Sequence, residues 1–127
     1  MQRCNILIGC DQSYYNDWGF NLCRSIYHYN PWIRIHVHIV NPQQPKILNF
    51  VNYTYEHRDF LSDQQRIGYL QCCRFLAVAN KFNDNDLVMT VDADSLCQRS
   101  FTPQHFIKSS LNITVLRHHK DRRWLAG

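Results

Sequence analysis

The sequence has no hydrophobic run long enough to cross a membrane. A membrane-spanning helix needs about 18 or more consecutive apolar residues, and no run in this 127-residue chain approaches that length. The chain also begins without the hydrophobic region and the small-residue cleavage site of a signal peptide. We therefore expect a soluble protein with no membrane span that resides in the cytoplasm.

Paired cysteine motifs are also absent. None of the six cysteines forms a Cys-x-x-Cys pair, which is a common spacing of zinc ligands. The sequence also lacks the loop-rich character of small secreted domains that disulfides stabilise. We expect reduced and mostly buried thiols.

The chain has no internal repeat, low-complexity tract or linker. Its length and its 45% hydrophobic content predict a single globular domain over residues 1–127. The net charge of +4 is compatible with a nucleic acid or with a small anionic ligand. The basic residues concentrate in one terminal segment, 117–123, and no recognition helix or RNA-binding motif is present, so a nucleic-acid partner is not expected.

Strand patterns alternate with helix patterns along the chain. The segments with strand character are 5–10, 33–39, 51–55, 87–91 and 113–116, of which 51–55 is the expected edge strand. This alternation predicts an α/β fold, in which a mostly parallel, Rossmann-like sheet of order near 3-2-1-4 carries helices on both faces.

Three helices are expected between these strands. The first would be capped by Asn16 or Asp17, and its apolar face would consist of Trp18, Leu22, Ile26 and Tyr29. The second, over residues 63–81, follows a capping box formed by Ser62 and Gln65. The third is short and opens at Thr102-Pro103-Gln104, where proline suits the first helical position.

Two carboxylates follow the fourth of these strands. The run Leu87 to Val91 has the pattern of a strand buried on both faces, and Asp92 and Asp94 come directly after it. Carboxylates are the hard oxygen ligands that Mn²⁺ and Mg²⁺ prefer, and two of them leave coordination positions open for diphosphate oxygens. The pattern indicates a metal site that acts on a departing phosphate group.

The predicted strand order places a second set of polar residues beside this pair. In a 3-2-1-4 sheet the first and fourth strands are neighbours, and ligands bind where their carboxyl ends meet. Gly9 allows a close approach to the backbone at the end of the first strand. Asp11 and the Tyr14-Tyr15 pair would stand next to Asp92 and Asp94. Groups that can hydrogen-bond and stack on a base would then adjoin a metal for a diphosphate, which indicates a nucleotide site.

Two arginines lie on the long predicted helix. Arg66 and Arg74 are two turns apart and therefore share a face that can point to the carboxyl end of the sheet. Arginine binds phosphate in a bidentate manner, so Arg74 is expected to contact phosphate, whereas Arg66 is expected on a solvated face. His36 and His38 share a strand face without a third ligand nearby, and we expect them to be half-exposed strand residues.

The order and spacing of several short motifs resemble the nucleotide-sugar half of GT-A glycosyltransferases, and most closely the glycogenin and galactosyltransferase-like group. These motifs are Cys10-Asp11 with Tyr15, Ser25-Ile26, Cys72-Cys73-Arg74-Phe75, the run from Leu87 to the DxD motif Asp92-Ala93-Asp94, and the terminal Leu125-Ala126-Gly127. The resemblance implies a metal-dependent transferase that uses a nucleotide sugar, most often a uridine diphosphate (UDP) sugar.

The resemblance also implies roles for individual residues. Asp94 would ligate Mn²⁺ or Mg²⁺, Asp92 would contact the metal or the ribose, and Arg74 would contact the diphosphate or the donor sugar; these three form the expected catalytic set. The expected donor-binding set is Gly9, Cys10, Asp11, Tyr15, Arg74, Asp92, Ala93 and Asp94. In that group a third metal ligand, often a histidine, usually comes from the acceptor-binding half. His119, or its neighbour His118, would stand in for that ligand here, but a basic loop beside the diphosphate explains the two histidines as simply. Lys120 or Arg122 would add positive charge.

Members of that group continue into an acceptor-binding half, whereas this chain ends at Gly127. The resemblance therefore implies a minimal or truncated donor-binding domain, with an unknown acceptor and with a second copy or a partner subunit completing the acceptor site. The alternative is a nucleotide-sugar-binding module without turnover, or with slow donor hydrolysis only. A third hypothesis is a haloacid-dehalogenase-type phosphatase with Asp92 as nucleophile, but that signature normally lies on the first strand.

Overall fold

Four parallel strands form the main sheet of the computed structural model, which describes residues 3–44, 46–78, 82–106, 116–117 and 124–125. The strands are β1 (Cys4–Asp11), β2 (Arg34–Val40), β3 (Val51–Glu56) and β4 (Leu87–Thr90). Their order is β3-β2-β1-β4, and every neighbouring pair is parallel. The predicted α/β class and strand order are confirmed, with β3 at an edge of this sheet.

One face of the sheet carries the apolar core. Because successive residues of a strand point to opposite faces, the even-numbered residues of β1 and the odd-numbered residues of β2 share this face. They form one buried cluster with residues of the first helical segment; its members include Ile6, Ile8, Cys10, Ile35, Val37, Ile39, Leu22 and Ile26. The alternation predicted for the second strand is therefore confirmed.

The first helical segment begins earlier than its sequence pattern predicts. Asp11, not Asn16 or Asp17, is the cap, since its carboxylate accepts a hydrogen bond from the Tyr14 amide at 2.8 Å. The segment comprises α1 (Gln12–Tyr14), a π-helical turn (Tyr15–Gly19) and α2 (Phe20–Tyr29). A π turn holds an extra residue and rotates the side chains that follow it. Leu22 and Ile26 are buried as predicted, but Trp18 and Tyr29 are exposed.

The long helix α3 (Asp63–Val78) covers the opposite face of the sheet. It begins at the predicted place: Ser62 Oγ accepts a hydrogen bond from the Gln65 amide at 3.1 Å, and Gln65 Oε1 accepts one from the Leu61 amide at 2.7 Å. Gly9 of β1 lies against this helix, because a Cβ atom there would stand 2.9 Å from Cys73 Sγ. Helices therefore lie on both faces, as predicted.

The remaining elements complete the described part of the chain. β4 is half-buried along its length, not buried on both faces as predicted, because β1 is its neighbour on one side and it forms the other edge of the described sheet.

The short helix predicted at Thr102 is a 3₁₀ turn, Pro103–Phe106. β5 (Leu116–Arg117) pairs with β6 (Trp124–Leu125) in an antiparallel manner. The rest of the predicted strand 113–116 lies outside the described residues, as does the predicted helix end at 79–81. None of the described helices has the length and apolar character to span a membrane.

Candidate functional site

A cleft of about 390 Å³ opens at the carboxyl ends of β1 and β4. We call it the carboxyl-edge cleft, and its polar side chains are those of Asp11, Tyr14, Arg66, Gln71, Arg74, Asp92 and Asp94. Thr90 at the end of β4 pairs with Leu7 in the middle of β1. The loop after β4 therefore emerges beside the last part of β1, which brings the two predicted groups of residues together.

Arg74 and Asp92 form an ion pair across this cleft, in which Arg74 Nη1 donates to Asp92 Oδ1. The Arg74 side chain is only 8% exposed, whereas that of Asp92 is 57% exposed. Gly9 makes this placement possible, because the Arg74 Cβ atom lies where a residue with its own Cβ would clash. The guanidinium group is thus held by packing, and its carboxylate partner remains accessible to solvent.

Asp94 accepts a hydrogen bond from another side chain of the cleft, that of Tyr14. The Tyr14 hydroxyl donates to Asp94 Oδ2 at 2.8 Å. This hydrogen bond raises the pKa of Tyr14, since the nearby carboxylate disfavours the phenolate. Tyr14 remains 41% exposed and lines the cleft, so part of its side chain is accessible to a ligand.

Asp11 connects the start of the first helical segment to α3. One of its oxygens caps the Tyr14 amide, and the other lies 3.4 Å from Arg66 Nη1. The prediction of a solvated Arg66 is correct in part, since its side chain is 40% exposed but also lines the cleft. The two-turn spacing to Arg74 was the signal in the sequence, because residues at that spacing share a helix face.

Tyr15 does not reach the cleft, although the sequence grouped it with the donor-binding residues. Its side chain is fully buried, and its hydroxyl lies 2.6 Å from both the Tyr53 hydroxyl and the Lys46 carbonyl oxygen. It follows Tyr14 by one residue, which turns it by about 100° around the helix axis and into the core. Tyr14 occupies the place that was predicted for either tyrosine.

The other predicted residues differ in what they offer a ligand. Gly9, Cys10 and Ala93 border the cleft, but the Cys10 side chain belongs to the core and burial raises the pKa of its thiol. His118, His119, Lys120 and Arg122 lie outside the described residues. His36 and His38 are half-buried strand residues, as expected, and they hydrogen-bond to Asn5, Thr54 and Glu56.

The donor atoms of the cleft suit a hard divalent cation. The described residues contain no group of three or more His, Cys, Asp or Glu side chains arranged around one point. Asp92 and Asp94, both exposed at the cleft, would leave several coordination positions to water and ligand oxygens, which is the usual arrangement for Mg²⁺ at phosphates. Three carboxylates face two guanidinium groups there, so the described residues leave an excess negative charge that favours a cation.

Seven of the predicted site residues line this one cleft: Gly9, Cys10, Asp11, Arg74, Asp92, Ala93 and Asp94. The family resemblance that suggested their roles remains a prediction. Comparisons with models of protein families, with curated proteins and with solved structures found no match to this chain.

Proposed function

We propose that the carboxyl-edge cleft binds a divalent cation together with the diphosphate of a nucleotide sugar, and that the chain is the donor-binding domain of a metal-dependent glycosyltransferase of the GT-A type. One observation supports this most strongly. Asp92 and Asp94 after β4, Arg74 on α3, and Asp11 and Tyr14 after β1 line a single cleft. A switch point between neighbouring parallel strands is where ligands of such sheets bind.

In this proposal Asp92 and Asp94 hold Mn²⁺ or Mg²⁺. When bound, the ion supplies positive charge that stabilises the departing diphosphate. Arg74 donates hydrogen bonds to a phosphate oxygen and adds to that stabilisation. The bond between the anomeric carbon of the sugar and the phosphate oxygen breaks with its electron pair on oxygen, and an acceptor hydroxyl or water bonds to the carbon and loses its proton.

The nucleoside has room beyond Arg66. A second space of about 180 Å³ continues the cleft along the carboxyl ends of β1 and β2, and it is lined by Asp11, Gln12, Asn41 and Gln43, among others. The side-chain amides of Gln12 and Asn41 already hydrogen-bond to Asn16, Gln43 and Arg58. An amide has two donor hydrogens and two acceptor lone pairs, so the remaining ones can hydrogen-bond to a base and a ribose. Tyr14 offers a ring face for stacking. Uridine diphosphate, which the family resemblance implies, is the first nucleotide to test.

A nucleotide-sugar-binding module without turnover would use the same cleft. One observation favours it. Each cleft carboxylate in the described residues already has a partner: Asp11 contacts Arg66, Asp92 contacts Arg74, and Asp94 accepts from Tyr14. Asp92 and Asp94 are also the proposed metal ligands, and Asp11 caps the Tyr14 amide, so the proposal assigns none of these three carboxylates to an acceptor-activating base. Release of free sugar from a UDP-sugar, measured with and without added acceptors, separates an enzyme from a binding module.

Calorimetric titration of UDP tests the proposed site. We expect binding with Mn²⁺, little binding with a chelator, and a loss in Asp94→Ala of at least the roughly 10–100-fold that changes around metal ligands cost. Asp84→Ala is the matched control, because Asp84 is an exposed residue in the turn before β4, away from the cleft. Equal affinity for UDP with Mn²⁺ and with chelator would contradict the proposal. An equal loss of affinity in both variants, or no binding of UDP at all, would also contradict it.

A further inference from the structure

The two carboxylates of the proposed metal site are both engaged by protein groups. Arg74 donates to Asp92, and the Tyr14 hydroxyl donates to Asp94 at 2.8 Å. The two partners, Tyr14 and Arg74, differ in charge and in exposure. Tyr14 is an exposed neutral donor, whereas Arg74 is a nearly buried cation that is also the proposed phosphate ligand.

This pairing sets up a competition at Asp92. A cation that binds Asp92 competes with Arg74 for the same carboxylate, because both positive groups interact with its negatively charged oxygens. A phosphate that binds Arg74 competes with Asp92 for the guanidinium group. A charge that has left bulk water is costly without a partner, so Arg74 can release Asp92 most easily when another anion takes its place.

We propose that the Arg74–Asp92 ion pair exchanges its partners when the site fills: phosphate oxygens replace Asp92 on Arg74, and the divalent cation replaces Arg74 on Asp92. This inference rests on the proposed function and adds a rule for how the site loads. Diphosphate that binds Arg74 makes Asp92 available to the cation, and a cation that binds Asp92 makes Arg74 available to the diphosphate. Cation and diphosphate therefore bind with positive cooperativity, and by linkage each raises the affinity of the other by the same factor.

The neighbouring arginine provides an internal comparison. Arg66 lies on the same helix and also contacts carboxylates. Its partners are Asp63 on α3 and Asp11, which additionally caps the Tyr14 amide. Asp11 is not one of the proposed metal ligands. The exchange therefore belongs to Arg74 and Asp92, and the Arg66–Asp11 pair stays in place.

The direct test measures the binding of inorganic pyrophosphate in the presence of a chelator. Asp92→Asn and Asp94→Asn each remove one negative charge from the cleft, and both side chains are exposed, so both variants should fold. Only the first removes the carboxylate that is paired with Arg74. We expect pyrophosphate to bind Asp92→Asn at least about fivefold more tightly than Asp94→Asn, which is the lower end of typical coupling. Equal affinities, or no binding to either variant, would overturn the exchange.

The reverse test measures the binding of Mn²⁺ alone. Arg74→Gln releases Asp92, whereas Arg66→Gln removes the same charge without touching the metal ligands. We expect Mn²⁺ to bind Arg74→Gln several-fold more tightly than Arg66→Gln, and the enhancement of Mn²⁺ affinity by pyrophosphate to fall in Arg74→Gln. Weaker Mn²⁺ binding to Arg74→Gln would mean that Arg74 only orients Asp92.

The two proposals fail in different ways. If wild-type protein binds neither UDP nor pyrophosphate with Mn²⁺, the proposed function is wrong, and the exchange is wrong with it. If wild-type protein shows metal-dependent binding while the two asparagine variants bind pyrophosphate equally with chelator, the nucleotide site stands and only the exchange is wrong.

Discussion

Gly9 is the residue that decides how close α3 lies to the sheet. A Cβ atom at this position would be 2.9 Å from Arg74 Cβ, 2.9 Å from Cys73 Sγ and 3.0 Å from the Arg74 backbone nitrogen. The Arg74 Cβ atom and the Arg74 backbone nitrogen cannot move without the helix. The glycine therefore determines the position of Arg74 in the cleft.

Replacing Gly9 by alanine tests this contact. We expect Gly9→Ala to lower the free energy of unfolding by about 1–3 kcal/mol, which is typical of overpacking, and to weaken Mn²⁺-dependent UDP binding because α3 carries Arg74. Gly68→Ala is the control, since no atom lies within 4 Å of a Cβ at Gly68, and alanine in a helix interior gains about 1 kcal/mol over glycine. Urea unfolding measures the free energy of unfolding of both variants. A Gly9→Ala variant as stable as the wild type would refute the close contact between Gly9 and α3.

Single residues also show where reasoning from sequence reached its limit. Asp92 and Asp94 could be placed at the cleft because they end a recognisable apolar strand. The sequence did not distinguish Tyr14 from Tyr15, because their directions depend on a helix that starts at Gln12 and passes through a π turn. The contact between Arg66 and Asp11 joins residues far apart in the chain, and no local pattern reports it.

At the scale of elements, a polar network around Glu56 joins β2, β3 and α3. Glu56 accepts hydrogen bonds from His38 Nε2 at 2.9 Å and from the Tyr69 hydroxyl, and its other oxygen lies 3.5 Å from Arg58 Nε. Burial alone would raise the pKa of Glu56, but these partners favour the carboxylate and together lower the pKa. The network fastens α3 to the edge strand.

The lowered pKa of Glu56 makes its contribution to stability depend on pH. The carboxylate stabilises the fold above its ordinary pKa of 4.5, and this contribution is lost as the pH falls through the lower value in the folded state. We expect Glu56→Gln to be about 1–2 kcal/mol less stable than the wild type at pH 7. Urea unfolding at pH 7 and at pH 3 should show that the gap shrinks in acid. A gap that is constant or widens would contradict this role.

The elements themselves were predictable to different degrees. Alternation of apolar and polar residues predicted β2 and its buried face. The β-branched and aromatic content of residues 51–55 predicted β3 at the sheet edge. Helix starts were less certain, because several polar residues precede the first helical segment and only the structure shows that Asp11 is the cap. The capping box before α3 was correct because Ser62 and Gln65 have the three-residue spacing of that motif directly before a helical pattern.

At the scale of the whole molecule, the cysteines report on the packing of both faces of the sheet. Cys4, Cys10, Cys23, Cys73 and Cys97 are buried, while Cys72 on α3 is exposed. Burial raises the pKa of Cys73 to about 11 and that of Cys23 to about 12. Since the thiolate is the reactive form, these thiols are protected by their pKa as well as by their position.

Alkylation therefore tests the packing of the described core. We expect iodoacetamide at pH 7.5 to modify native protein rapidly at Cys72 and slowly elsewhere, and Cys72→Ser to lose the rapid phase. Peptide mass spectrometry after short exposures identifies the sites, with protein unfolded in urea as the reference for full reactivity. Rapid modification of Cys73 in native protein would contradict the packing between β1 and α3, and rapid modification of Cys10 would contradict the apolar core on the other face of the sheet.

The strand order could be predicted because alternating strands and helices that form a doubly wound sheet have few possible arrangements. That order in turn predicted that Asp11 and Tyr14 would meet the DxD residues. The ion pairs within the cleft were beyond prediction, since they depend on how α3 is positioned over Gly9. The sequence thus supplied the residues of the candidate site, and the structure supplied their partners.

The most direct test of the account asks where the metal binds. Mn²⁺ is paramagnetic and broadens the NMR signals of nuclei close to it. With UDP present, we expect sub-stoichiometric Mn²⁺ to broaden first the amide signals of Gly9, Asp11, Ala93 and Asp94, while those of Cys4 and Leu87 at the opposite end of β1 and β4 stay sharp. Asp94→Ala should remove the localised effect. Broadening centred elsewhere, or unchanged in that variant, would contradict a metal and nucleotide site at the carboxyl-edge cleft.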